Sequence, residues 1–193
     1  FQPNYYFNAA GNTVLSSVVY RMIAPTTIDI NSVKADWEQP FKKGTLGFGG
    51  KTAFVKTDND FQRYDVYGGA DHLDRNRSNI FNYKENINAG YVNYNRAFKG
   101  FAIQAGLRVE NTVSKGTSNG EKQSGSGYVG YTESFKRNYT GLFPSAAITY
   151  NKKPANQFSL TYSRRIDRPN YQDLNPFEFK LDEYTFQRGN INL

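Results

Sequence analysis

The residues best equipped for chemistry sit in a few places along the chain. Arg164, Arg165 and Arg168 crowd together in 158–177, FSLTYSRRIDRPNYQDLNPF. A guanidinium fork suits carboxylate and phosphate, so this trio could meet an anionic ligand or a lipopolysaccharide phosphate. Asp167, Asp173 and Asp182 supply nearby counter-ions, and pairing that holds the segment in place is the favoured reading. Tyr64, Tyr67, Tyr128, Tyr131 and Tyr171 could stack on a sugar or base, or pack within their own segments. The candidate ligand or rim contacts are therefore Arg164, Arg165, Arg168, Tyr171, Tyr64 and Tyr67.

Other constellations carry less. Asp58, Asp60, Asp65, Asp71, His72 and Asp74 lie close in sequence, and oxygen-rich loops can bind calcium, but no EF-hand spacing is present and solvated carboxylates are the expectation. His72 is the one histidine and there is no cysteine, so neither a multi-histidine site nor a thiolate site can be built. The stretch 44–52, GTLGFGGKT, ends like a phosphate-binding loop, yet its spacing puts Thr45 where the first glycine belongs, and no helix follows. No acid or base has a partner at motif spacing, so no enzyme activity, cofactor or metal is expected.

The elements that position these residues are strands. The 193 residues include 15 Tyr, 15 Phe and 17 Gly but one Trp and one Met, a composition that fits pleated surfaces better than helices. Mean hydropathy is −0.71; no apolar run is long enough for a transmembrane helix, but a barrel strand needs only about 9–11 alternating residues. Residues 32–41 alternate Val33, Ala35 and Trp37 against Lys34, Asp36 and Glu38, then turn at Lys42-Lys43-Gly44 into a strand carrying Leu46, Phe48 and Phe54. A second hairpin joins 85–98 to 101–113. With Lys99-Gly100 as its two-residue turn, Phe98 faces Phe101, Tyr94 faces Ala105, Val92 faces Leu107 and Gly90 faces Val109, with Arg96 left on the apolar face. A third pairs 140–150 with 157–165.

Between the hairpins, 57–84, 114–138 and the polar C-terminal stretch lack apolar period and read as long loops. Long structureless loops are uncommon in compact soluble domains but expected in outer-membrane barrels. Leu46/Phe48, Phe98/Phe101 and Tyr150/Phe158, all beside short turns, make an aromatic-rich inner girdle. The fold expected is all-β: an antiparallel meander of about six strands from a larger transmembrane β-barrel, with short turns alternating with long loops. Residues 1–31 would be the tail of a preceding strand and loop, and 32–193 a partial barrel.

Several stretches, SVKADWEQPF, KTDNDF, SNIFNYKENINAGYVNYNRAF, FAIQAGLRVENT, LFPSAAITY, YSRRIDRPNYQDLNPF and DEYTFQRGNINL, resemble the barrel of TonB-dependent-receptor-like outer-membrane proteins of Bacteroidetes-type bacteria. That resemblance implies nutrient uptake across the outer membrane, contact with outer-membrane lipid, and in a full-length parent a plug domain, an energy-coupling protein and a surface lipoprotein partner. No plug or coupling box is present here and about six strands cannot enclose a plugged lumen, so a fragment of a longer chain is expected. The alternative is a soluble β-sandwich gripping glycans with its tyrosines, which requires both outer sheet faces to be polar. A basic nucleic-acid binder fits the net charge of +7, but the charges are scattered and no binding motif appears, so no nucleic-acid partner is expected.

Overall fold

A computed structural model describes residues 2–153, 156–182 and 184–193. The strands are β1 (Gln2–Phe7), β2 (Val14–Ile23), β3 (Thr26–Phe41), β4 (Gly44–Tyr67), β5 (Ala70–Leu73), β6 (Asn79–Phe98), β7 (Phe101–Ser124), β8 (Gly127–Lys153), β9 (Asn156–Ser163), β10 (Glu178–Lys180) and β11 (Phe186–Arg188). The first nine form one antiparallel sheet, and β10 and β11 form a separate two-stranded hairpin. A 3-10 turn, Arg75–Arg77, is capped by the Asp74 side chain.

Two breaks in the strand list are local. β2 pairs with the outer half of β4 and β3 with its inner half, in one continuous register. Between them the Asp60 amide donates to the Pro25 carbonyl at 3.1 Å, but proline has no N–H to return the bond. The ladder loses one rung and β2 and β3 run on as one strand. β5 and β6 likewise flank β4 on a common side. The wall is thus a meander, and β3 crosses the boundary expected at residue 31.

The apolar hairpins pair as the alternation predicts. Phe98 faces Phe101, Val92 faces Leu107 and Arg96 faces Ile103; Tyr150 faces Phe158, though residues 154 and 155 of that turn lie outside the described residues. The first turn is tighter than expected. Lys42 and Lys43 both have positive φ, the geometry of a two-residue type I′ turn, and Gly44 already pairs with Phe41.

The long loops expected at 57–84 and 114–138 are strands instead. β4 continues to Tyr67, β6 begins at Asn79, and β7 and β8 run in register from the Phe101–Tyr150 pair to Ser124 and Gly127. The connections there are short: Gly68 and Gly69 have positive φ between β4 and β5, as does Gly125 between β7 and β8. At about 3.3–3.4 Å per residue, the 24 residues of β7 reach roughly 80 Å, well over twice what a tilted strand needs to cross a bilayer.

Register divides the sheet into two faces. One carries Trp37, Phe48, Val92 and Leu107 in a single cross-strand row, with 61%, 46%, 41% and 42% of their surface exposed. Rows toward the Lys99-Gly100 turn add Tyr162, Leu160 and Phe158, also exposed. An exposed apolar face of this extent is not the surface of a soluble β-sandwich. The opposite face holds Lys34, Asp36, Asn93, Arg108, Glu110, Ser145 and Thr161 in the same part of the sheet.

Candidate lumenal site

The polar face acquires a cover where the strands outrun the apolar band. After Ser163 the chain leaves the sheet, and stretches of 168–182 and 184–193 lie over the inner face of β4, β6, β7 and β8. Leu174 is 2% exposed and packs with Phe81 and Tyr83, flanked by Phe135 and Tyr171. The Phe61 ring meets Phe177 and Phe179 at centroid distances of 5.9 and 4.7 Å. Thr57, Thr112, Ser114 and Ser118 are buried on this same face, small polar side chains that leave room for the covering segment.

Three polar joints fix the cover. Glu110, 6% exposed, accepts from Arg108 Nε and Nη2 at 2.9 and 2.6 Å and forms an ion pair with Arg168 through its other oxygen. Asn79, Ser118 and Asn175 form a closed triangle: Asn79 Nδ2 donates to Ser118 Oγ at 2.9 Å, Ser118 Oγ donates to Asn175 Oδ1 at 3.2 Å, and Asn175 Nδ2 donates to Asn79 Oδ1 at 3.2 Å. Arg137 donates to the carbonyls of Ile191 and Leu193. A buried polar group without a partner is costly, so these joints specify one seating of the segment. Gly189 completes it: its amide donates to the Asn175 carbonyl at 2.9 Å, and a Cβ there would lie 2.4 Å from that oxygen.

Burial pushes the Tyr83 phenol up to about 12, with the Glu85 carboxylate adding to the shift. Tyr131 is raised for the same first reason, burial, reinforced by Glu133. Both hydroxyls therefore stay protonated and able to donate hydrogen bonds across the neutral range.

Of the cavities between wall and cover, two have a lining that bears on a ligand. One, about 350 Å³, is lined by Phe61, Tyr171, Phe177 and Phe179 together with the carboxamides of Asn59, Gln172, Asn175 and Gln187. The other, about 570 Å³, has Arg77, Lys122, Lys180 and Arg188 around it, opposed by Glu133 and Glu178. The first suits a neutral ligand with an apolar surface, the second an anionic one.

The expected contacts are dispersed. Tyr171 lines the first cavity, and Arg168 forms the joint to Glu110 rather than pairing with Asp167, Asp173 or Asp182. Asp173 accepts from the Asn170 amide and Asp182 from the Tyr184 amide. Arg164 and Arg165 are exposed, at the level where β9 ends beside Ser145, midway up the apolar band rather than at an outer rim. Tyr64 donates to Gln62 Oε1 at 2.7 Å, and Tyr67 stacks on His72 with centroids 3.8 Å apart; neither meets the cover. The aspartates near His72 are spread along β4, β5 and the cap of the 3-10 turn, Asp58 against Lys56, Asp71 against Arg21 and Asp74 on the Arg77 amide, and they do not converge. The glycine-rich 44–52 is the start of β4. Glu110, Arg137, Asn79, Ser118 and Asn175 escaped sequence reasoning. Only Glu110 carried a signal, a carboxylate two residues beyond Arg108 on the same face of that strand.

No curated protein matches the chain. The profile of the outer membrane protein beta-barrel family matches residues 1–193, which accounts for an apolar face turned to lipid and a polar face turned to a lumen. The chain belongs to the outer membrane protein beta-barrel family, and its place is the outer membrane.

Proposed function

We propose that the chain is the barrel portion of a TonB-dependent-type receptor that takes up a nutrient across the outer membrane, acting by binding and passage rather than by catalysis. The observation that carries this reading is the covered inner face: a wall polar enough to be wet is occupied by the C-terminal segment, seated through Glu110–Arg168 and Asn79–Ser118–Asn175, with cavities beside it. A passive pore leaves its lumen open to water, whereas a receptor must obstruct the lumen and present groups that select a ligand. The resemblance of 158–177 to the receptor barrels supports the same assignment. In this reading a plug domain fills the rest of the lumen, an energy-coupling protein of the inner membrane drives release, and a surface lipoprotein delivers the ligand.

The full-length parent tests the proposal. Cells expressing it are expected to take up its nutrient only while the proton gradient and the coupling protein are intact, and the parent is expected to capture the periplasmic domain of that coupling protein. Uptake unchanged when both are removed would contradict the reading.

A further inference from the structure

On the lipid face, register brings four lysines side by side. Lys56 pairs with Lys84, Lys84 with Lys115, and Lys115 with Lys136, so four adjacent strands each place a lysine in one cross-strand row. All four are exposed. Directly opposed like charges in a sheet are destabilising, so such a row persists only where something offsets the repulsion.

The protein supplies little of that offset. Lys56 is paired with Asp58 at 2.5 Å and also feels Asp29, its partner on β3. Lys84 feels the same Asp58 at longer range. Lys115 and Lys136 have no ion pair among the described residues. The rows immediately beyond and below contribute Asn82, Thr117 and Ser134, and Asn86, Val113 and Asn138, with Asp58 as the one carboxylate. The row carries a surplus of positive charge at three neighbouring positions.

Its height identifies what faces it. Lys84 is fourteen residues along β6 from Phe98 in the turn-side aromatic girdle. At about 3.4 Å per residue and a strand tilt near 40°, that is roughly 35 Å along the membrane normal, about 10 Å beyond an apolar band ~25 Å tall. This is the level of lipid headgroups, on the face that continues the apolar band. We propose that Lys84, Lys115 and Lys136, with Lys56 at the edge, form a binding site for the phosphate groups of an anionic lipid in the outer leaflet. An ammonium is a compact point charge that suits phosphate without demanding a fixed fork geometry. The site rests on outer-membrane residence and on register, not on transport, so it stands or falls separately from the receptor reading.

The test uses the full-length parent in phosphatidylcholine vesicles containing either bis-phosphorylated lipid A or its dephosphorylated form, with retained lipid counted by native mass spectrometry. Each lysine near an anionic surface is expected to contribute about fivefold, so the wild type should retain the phosphorylated form roughly a hundredfold better. Lys84→Gln/Lys115→Gln/Lys136→Gln should erase that preference, and the matching Arg triple variant should keep it, with heat-modifiable gel mobility verifying that each barrel is folded. Millimolar inorganic phosphate should not displace the lipid. Equal retention of both lipid forms by the wild type, an unchanged preference in the folded Gln variant, or displacement by free phosphate would overturn the proposal.

Discussion

Arg164 donates its amide to the carbonyl of Pro144 at 3.0 Å, and Pro144, having no N–H, cannot return the bond. In an antiparallel ladder a pair that makes one such bond makes both, so the proline removes the rung at which β9 would continue beyond Ser163. Pro144 faces Leu107 across β7, in the middle of the apolar band. A chain released there meets lipid on one side and polar groups on the other, and it turns to the side where its backbone can be satisfied. The lumenal cover therefore begins with a missing hydrogen-bond donor in the neighbouring strand.

Pro144→Ala restores that donor. The new amide at position 144 should exchange slowly with solvent deuterium, and the residues after Ser163 should gain protection as β9 lengthens at the expense of the cover. Fast exchange of that amide would show that something other than the proline ends the strand.

Glu110 holds two guanidinium groups, so Glu110→Gln leaves Arg108 and Arg168 half-buried without a counter-charge. A loss of roughly 3 kcal/mol in seating the cover is expected, the low end for breaking a buried pair because Arg168 keeps some solvent contact. Trypsin should then cut after Arg164 or Arg165 well before it cuts the wall. Adding Arg168→Gln should cost much less than the sum of the two single changes.

Gly189→Ala would force a methyl group against the Asn175 carbonyl. Overpacking of this kind costs about 1–3 kcal/mol. Proteolysis should report a loosened segment, with heat-modifiable mobility of the barrel itself unchanged.

Tyr83 links the cover to pH. Its phenol is pushed up to about 12 in the fold by burial, while in the unfolded chain it titrates near 10. The neutral form is favoured in the native state, so this contribution to stability is complete below pH ~10 and is lost as pH rises to about 12. Difference titration of the phenolate absorbance between wild type and Tyr83→Phe should reveal one tyrosine ionising late, and Leu174→Ala should bring it back toward 10 by admitting water.

The parts legible in the sequence are those whose energetics are local or periodic. The Phe98–Phe101 pair, the Val92–Leu107 pair and the placement of Arg96 opposite Ile103 followed from alternation and a two-residue turn. Residues 57–84 and 114–138 were opaque because the bilayer no longer marks one face: Lys84 and Lys115 point outward to a polar layer, while Thr112, Ser114 and Ser118 point inward and are buried. Alternation of polar with polar carries no period. What buries the inner set, Leu174 and Asn175, lies more than fifty residues further along the chain, and no local rule connects them. The arginine trio is legible as part of a charged, turning segment, but the partner of Arg168, Glu110, belongs to another strand.

The central claim is that one face of this wall meets lipid and the other meets a covered lumen. Spin labels placed singly from Ile103 to Ser118 along β7 of the parent in outer-membrane vesicles test it most directly. Labels at 103, 105, 107 and 109 should be accessible to oxygen dissolved in the bilayer, and those at 104, 106 and 108, which face the lumen, should not. Beyond Asn111 the odd positions should become aqueous while 112, 114 and 118 are shielded by the cover from both oxygen and an aqueous nickel reagent. Accessibility without a period of two, or free aqueous access at 112, 114 and 118, would contradict this account.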